Sequence, residues 1–550
     1  MLGGMHRLSV LIAIAAFLVT ACNNESRQGG DTAKGNTDLI PRNVAITKAD
    51  AYSDVFLDSA AMESFITEQQ LNDTVSTGMR NFYNARNYQY AWFASDGLTE
   101  QALAFRNLYD YTIDTGTTQK SLDRRLERLM ADDSLQVTAT NADIRKTELL
   151  LTWRFVNYVW GQYDGKNARH AALVQLVPSK KYAVIEMAQA VLDNKEAPNK
   201  NYKALQQQLA TYVGIEQKGG WAPIPVSSKK LKPGAIDTAV VLIKKRLRAT
   251  GQLTANDTSA VFNDQLITAV KAAQAGYGFT ADGIVTPTLI RELNVPVTKR
   301  IEQLLVNLER MRWMPAEPSG SLIWVNIPAF KLYVQDGSKQ LFNMDVVVGK
   351  EGHSTVMFSG SLNQIVFSPY WNLPENIVKN EVLPHIEKNS QYLADNNMEI
   401  TGEEDGVPVI RQLPGDKNQL GKIKFLFPNS FNIYFHDTPF KDLFNRDKRA
   451  FSHGCIRLRE PVKLAEYLLV DQPQWTPARI DSAMNSGKEK YIRVKDPVPV
   501  LIYYYTAWTD DNKQLQFRDD IYGHDEKLAK KMFTRGDTSE TLAVAKATRR

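Results

Sequence analysis

Cys455 stands directly after Ser452-His453-Gly454, and upstream His436 closes the apolar run Ile433-Tyr434-Phe435. A thiol attacks a carbonyl carbon as its thiolate, so a nucleophilic cysteine needs a proton acceptor or a nearby cation. The tetrahedral intermediate needs donors for its oxyanion. Cys455 supplies the thiol, and His436 is the candidate general acid and base. The N–H groups of Gly454 and Cys455 are candidate oxyanion donors, because a glycine lets the backbone turn freely and approach closely. His453 has four readings: it shapes that turn, polarises the site, packs, or takes a direct part in proton transfer. A free cysteine is more often inert and buried than nucleophilic. The adjoining His-Gly pair and the strand-end histidine favour the nucleophile here.

These residues must be carried by a sheet. Ile423–Phe427 and Phe431–His436 read as adjacent strands joined by Pro428-Asn429-Ser430. Tyr434 and His436, two apart on a strand, share a face, so Tyr434 is a candidate support for the histidine. Further strands are expected at Ser321–Pro328, Phe330–Gln335, Gln340–Val348, Asn363–Ser368 and Lys490–Lys495, with a helix at Glu460–Leu469. Between Phe367 and Gly421 the chain leaves the sheet for a charged, helical insertion, about 370–421, with Ile377–Glu387 its clearest helix and Pro384 a potential kink. Insertions of this length often form lids or binding walls. Tyr370 and Trp371 at its start either stack on a substrate or anchor it. Arg446, Lys448 and Arg449 precede Ser452; such cations favour a thiolate, hold a carboxylate, or are simply solvated.

Ser452-His453-Gly454-Cys455-Ile456-Arg457, with His436 upstream, resembles the signature of the L,D-transpeptidases (the YkuD-type catalytic domain). The runs Gly421–Asn429 and Ile433–Pro439 resemble the large periplasmic branch typified by YcbB, and Arg457 stands where other branches have asparagine. The resemblance implies an acyltransferase of cell wall biogenesis and cell shape. Cys455 would attack a tetrapeptide donor stem at its third-position diamino acid, D-alanine would leave, and an amine of a second stem would resolve the thioester as a 3-3 cross-link. It implies an oxygen of Asp437 orienting His436, an insertion that caps the site, and acylation of Cys455 by carbapenems. Ser452, Arg457, Arg449, Tyr370 and Trp371 are the candidate substrate contacts. No cofactor is implied, because the thioester conserves the energy of the cleaved amide. Water as acceptor would make it an L,D-carboxypeptidase; another envelope protein could also be the acceptor. A reading from a different class is a wall-binding lipoprotein without catalysis.

The rest of the chain reads as a multidomain α+β protein. Residues 1–22 resemble a lipoprotein signal: His6-Arg7, the apolar Leu8–Leu18, then Leu18-Val19-Thr20-Ala21-Cys22, with Cys22 the lipidated residue. No aspartate follows Cys22, so the expected location is the periplasm, anchored by lipid at the periplasmic face of the outer membrane. Residues 23–49 read as a flexible tether. A helical scaffold domain spans 50–220, with Phe82, Tyr83, Tyr88, Tyr90, Trp92 and Phe93 as its aromatic core. Residues 235–297 resemble a three-helix peptidoglycan-binding domain, carried by Ala269-Val270-Lys271 and Thr280-Ala281-Asp282-Gly283. A linking helix occupies 298–320, the β-rich catalytic domain 321–495, and a C-terminal extension 496–550. The implied partners are peptidoglycan stem peptides and glycan, the membrane, and cell-wall synthesis proteins.

Composition agrees with a soluble chain of several domains, at 550 residues, 43% hydrophobic and 23% charged. Net charge of +5 with no long basic run does not indicate nucleic acid. With Cys22 lipidated, Cys455 would have no disulfide partner, since the chain has 2 cysteines. No C-x-x-C or H-E-x-x-H pattern occurs, so no metal is expected.

Overall fold

The computed structural model describes residues 39–113, 120–130, 137–194, 197–226, 230–315 and 320–534. The expected signal segment with Cys22, the first part of the expected tether and the end of the C-terminal extension lie outside the described residues. The chain forms two units. One holds everything up to Ala316 with Thr506–Phe517 and the chain from Gly523; the other holds Glu317–Tyr505 with Arg518–Tyr522.

The first unit is helical. Asp58, Asn72, Thr99, Asn141 and Asn199 cap the helices Ser59–Glu68, Asp73–Ala85, Glu100–Thr112, Ala142–Gln162 and Lys200–Gln217, each accepting from backbone N–H groups of the first turn. The expected aromatic residues form its core. Trp92 is fully buried, stacked between Phe82 and Phe105 with Phe155 on its edge at 5.4 Å. Inside the same core lies Glu148. It accepts from the Tyr83 hydroxyl (3.0 Å) and the N–H groups of Ala91 (2.7 Å) and Trp92 (3.0 Å). Burial pushes its carboxyl up to about 7 despite these donors.

The tether ends earlier than its polar composition suggests. Ile46 is buried, and Asn81, Asn84 and Asn87 bond the backbone of Ile40 and Ile46. Asparagine amides give this segment the partners that apolar packing could not. The three-helix portion runs over Thr238–Ala249, Asp264–Gly276 and Pro287–Leu293 around one apolar cluster. Its Asp282-Gly283 turn is tied from inside: Gln274 donates to Asp282 and accepts from Gly283 N–H. The linking helix Val297–Met311 belongs to this unit, where Arg310 pairs with Glu100 and Asp525, both at 2.5 Å.

The second unit is built on a nine-stranded sheet, in the order Ala450–Ser452, Lys339–Gly349, Ile456–Leu458, Phe435–His436, Ile423–Leu426, Ser359–Phe367, Lys490–Tyr503, Ser321–Asn326 and Lys331–Asp336. Lys331–Asp336 also pairs with Lys339–Gly349 and closes the other eight strands on themselves, leaving the short Ala450–Ser452 as an edge. The last strand runs through to Tyr503, past the boundary expected at 495. Asp496-Pro497 reads as a strand end, but it sits in an irregularity between Arg493 and Val498, and Val500–Tyr503 then pair with Ile323–Asn326.

The insertion opens as expected, with helical turns from Glu375 to Lys388. Val378–Val382 form a π-helical turn, wider than an α turn, that ends just before Pro384, which has no N–H to donate. Its second half is β: Met398–Glu404 and Val407–Gln412 form a hairpin, with Trp371–Asn372 as a third strand. Asp405-Gly406, both with positive φ, make the turn. The "helical" expectation overlooked this Asp-Gly signal.

Candidate active site

Parallel pairing sets the site. Phe435 faces Ile456 and His436 faces Arg457, and the N–H of Ile456 donates to the carbonyl of Tyr434. Phe435 and Ile456 are fully buried in the apolar core. Strand alternation therefore puts Tyr434, His436, Cys455 and Arg457 on the opposite face. Cys455 is half-buried at the start of its strand; His436 is buried.

The imidazole is held by main chain. His436 Nδ1–H donates to the carbonyl of Asp437 at 2.5 Å. Asp437 was the expected orienting residue; its carbonyl does this, while its carboxylate accepts from Lys441 Nζ (2.6 Å) and Lys422 N–H (2.9 Å). The carboxylate packs on Gly421, whose φ is +62° and where a Cβ would strike it. Burial, then the Arg457 cation, lowers the His436 pKa to about 3, so the ring is neutral. The carbonyls of Asp437 and Leu420 oppose the shift only in part.

The thiol is neutral too. Burial raises Cys455 to about 11, against the opposing N–H and hydroxyl of Tyr434 and the Arg457 charge. Its S–H points to the carbonyl of Asn432, 3.5 Å away, and no hydrogen bond joins it to His436 among the described residues. Catalytic contacts of this kind tighten when substrate binds. Tyr434 reaches both partners: its ring lies 5.8 Å from the imidazole and its hydroxyl faces the sulfur.

The turn before Cys455 is tightly braced. Gly454 has φ +111°, a conformation that favours glycine. Its N–H donates to Ser452 Oγ at 3.2 Å, and its carbonyl accepts from Thr355 Oγ1 at 2.8 Å. Ser452 Oγ in turn donates to the Cys455 carbonyl. The Gly454 N–H, expected as an oxyanion donor, is thus occupied, whereas that of Cys455 has no partner among the described residues. Ser452 is a brace, not an exposed contact. His453 reaches out to the insertion, its Nε2 lying 2.7 Å from Glu381 Oε1, with the His353 ring 5.0 Å away.

The other expected contacts divide. Arg457 is half-buried beside the thiol, its guanidinium over Phe440 at 5.8 Å and its Nε unpartnered. Arg449 is corrected. It donates to the carbonyls of Val346, Phe330 and Arg446 and to Asp345 Oδ1, so its guanidinium is consumed by the fold. Tyr370 lies under Arg411 at 4.3 Å, and Trp371 pairs with Gln412 and packs on the insertion's small core. Both anchor the insertion.

Sequence reasoning missed Thr355, Glu381 and Tyr522. Tyr522 donates to the Gly349 carbonyl (2.5 Å) and accepts from Thr355 N–H (3.3 Å). Each lies far along the chain from Cys455, without a local motif. A cavity of about 860 Å³ also opens behind Asp437, lined by Lys422, Thr438, Lys441 and Arg459 among others.

Comparison with known proteins follows this division of the chain. Residues 320–500 match the family described as "L,D-transpeptidase catalytic domain" (YkuD), residues 77–218 a "Scaffold domain", and residues 237–293 a "Putative peptidoglycan binding domain". A curated relative from Haemophilus influenzae, described as "Putative L,D-transpeptidase", is 32% identical over 254 residues, covering 42% of this chain and 51% of the relative. The chain thus spans about half the length of that relative. Among solved structures, an L,D-transpeptidase from Mycobacterium smegmatis shows 14% identity over 34% of this chain and 59% of its own, with TM-score 0.19. One from Stackebrandtia nassauensis shows 12% over 51% of this chain and 97% of its own, with TM-score 0.20. Superpositions this loose carry no argument. The family matches do: this chain carries a YkuD-family L,D-transpeptidase catalytic domain, together with a scaffold domain and a domain of the peptidoglycan-binding family.

Proposed function

We propose that the protein is a peptidoglycan L,D-transpeptidase that forms 3-3 cross-links through a thioester on Cys455. The observation that carries the reading is the shared strand face of Tyr434, His436, Cys455 and Arg457, inside the matched catalytic domain. His436, with Nδ1–H fixed by the Asp437 carbonyl, presents Nε2 as the base. It takes the thiol proton as Cys455 attacks the third-position carbonyl of the donor stem, then gives it to the departing D-alanine amine. The Cys455 N–H supports the oxyanion. Arg457, with an unpartnered Nε, suits a substrate carboxylate or carbonyl. Starting from a neutral thiol and a neutral imidazole, proton transfer is coupled to attack, so the resting site does not hold a reactive thiolate.

Lipid attachment at Cys22, on the periplasmic face of the outer membrane, would hold the domains near the wall. Its support is the Leu18–Cys22 sequence. The three-helix domain would add affinity for the polymer.

The test is product analysis of protein lacking its first 22 residues, incubated with disaccharide tetrapeptide beside Cys455→Ala. A dimer joined at third positions, absent with the variant, supports the reading. Tripeptide alone would show water as acceptor. Neither product, from folded protein, would defeat it.

A further inference from the structure

A proton count exposes a demand that His436 cannot meet. This rests on the transpeptidase reading above. Resolving the thioester with an amine that arrives as ammonium breaks the C–S bond and forms a C–N bond, without redox change. Acyl-S-Cys455 and R–NH3⁺ give the amide, the free thiol and one H⁺. Two protons leave the nitrogen. One returns to sulfur by way of His436. The other must reach solvent, and it must leave before attack, because an ammonium has no lone pair. His436 is 4% exposed and its Nδ1–H is committed to the Asp437 carbonyl, so it has no route to water for a second proton.

A second oriented imidazole stands on the turn that leads into the same cysteine, two residues before it. His453 Nε2 lies 2.7 Å from Glu381 Oε1, and a carboxylate only accepts, so Nε2 carries the hydrogen. Nδ1 keeps its lone pair and has no partner among the described residues. Carboxylate-backed imidazole is the arrangement that fixes a tautomer and stabilises the charged ring. The His453 and Glu381 side chains are 30% and 47% exposed, so this pair can release a proton to water. The backbone places Glu381 deliberately: it sits in the π-helical turn of the insertion, a widening that recurs at functional sites.

We infer that His453, positioned by Glu381, is the acceptor-side base: it takes the excess proton of the incoming ammonium and releases it to solvent. The groups facing it agree. His353, 5.0 Å away on the turn that carries Lys350, is held below its usual pKa by burial, then by His453 and Lys350. His385, on the next helix, donates through Nδ1 to the Glu381 carbonyl and leaves the carboxylate to His453. The neighbouring Lys379 is paired with Glu375. Glu381 is a positioning residue; His453 meets the acceptor.

The experiment forms the acyl-enzyme from tetrapeptide donor with wild type, Glu381→Gln and His453→Gln, all full-length mature protein. Each is then offered either a stem peptide bearing the diamino-acid amine or hydroxylamine, which is unprotonated at neutral pH. Intact mass follows loss of the adduct. The readout is the ratio of the two aminolysis rates, which cancels any change in acylation. It falls by about 10²- to 10⁴-fold in both variants at neutral pH, the scale of general-base assistance. The deficit closes as pH rises toward the amine's own pKa. A ratio unchanged from wild type overturns the inference. So does equal slowing with both amines, which marks a role in bracing the turn or the insertion. Wild type that forms no thioester overturns the transpeptidase reading itself.

Discussion

Two buried ionisable groups, one in each unit, show how differently the same physics is used. In the helical unit, Glu148 has its carboxylate filled by Tyr83, Ala91 and Trp92. In the catalytic unit, His436 has one nitrogen filled by Asp437, and its neighbours Cys455 and Arg457 keep polar atoms without strong partners. Burial shifts both groups toward neutrality, the acid to about 7 and the base to about 3. Where every polar atom is satisfied, the group holds a core together. Where one is left open, at the end of a strand pair, it can do chemistry.

The largest effects come from breaking the catalytic side. Cys455→Ala abolishes thioester and product, and His436→Gln lowers turnover by about 10²- to 10⁴-fold with folding kept. Rate assays beside circular dichroism check both. On the helical side, Trp92→Ala leaves a cavity where three rings meet, and destabilises that unit by about 3–5 kcal/mol, read by denaturant unfolding.

The two groups also make the units answer pH oppositely. Glu148 has its pKa raised on folding, so its contribution is fully present below the unfolded value of 4.5 and is lost as pH rises to about 7. His436 has its pKa lowered, so its contribution is present above 6.5 and is lost as pH falls toward 3. Hydrogen exchange between pH 4.5 and 6.5 should show amides around Trp92 gaining protection as pH falls, while the Phe435–His436 and Ile456–Leu458 strands lose it. The smallest effect sharpens the comparison within the site. Arg449→Ala costs about 1–3 kcal/mol through its lost carbonyl and Asp345 bonds, with little change in KM for the donor.

Much of this was readable from sequence where the cause is local. Thr99 and Asn263 cap helices as their types suggest. Asp282-Gly283 turns because glycine takes φ +79° there. The face shared by Tyr434 and His436 follows from strand alternation. What could not be read depends on distant partners. Nothing near Arg449 announces that Phe330 and Asp345 will occupy it. Thr355 reaches Gly454, and Glu381 reaches His453, only once the sheet closes and the insertion folds. Strand ends misled for a related reason: Pro497 looks like a terminus, yet pairing on either side carries the strand through it.

The most direct test of the central claim is intact mass of protein lacking its first 22 residues after brief exposure to a tetrapeptide donor. The expected result is an adduct equal to the donor stem less D-alanine, mapped to Cys455 and absent from Cys455→Ala. An adduct that persists in that variant, or none at all while folded wild type turns over donor, would contradict a thioester on Cys455.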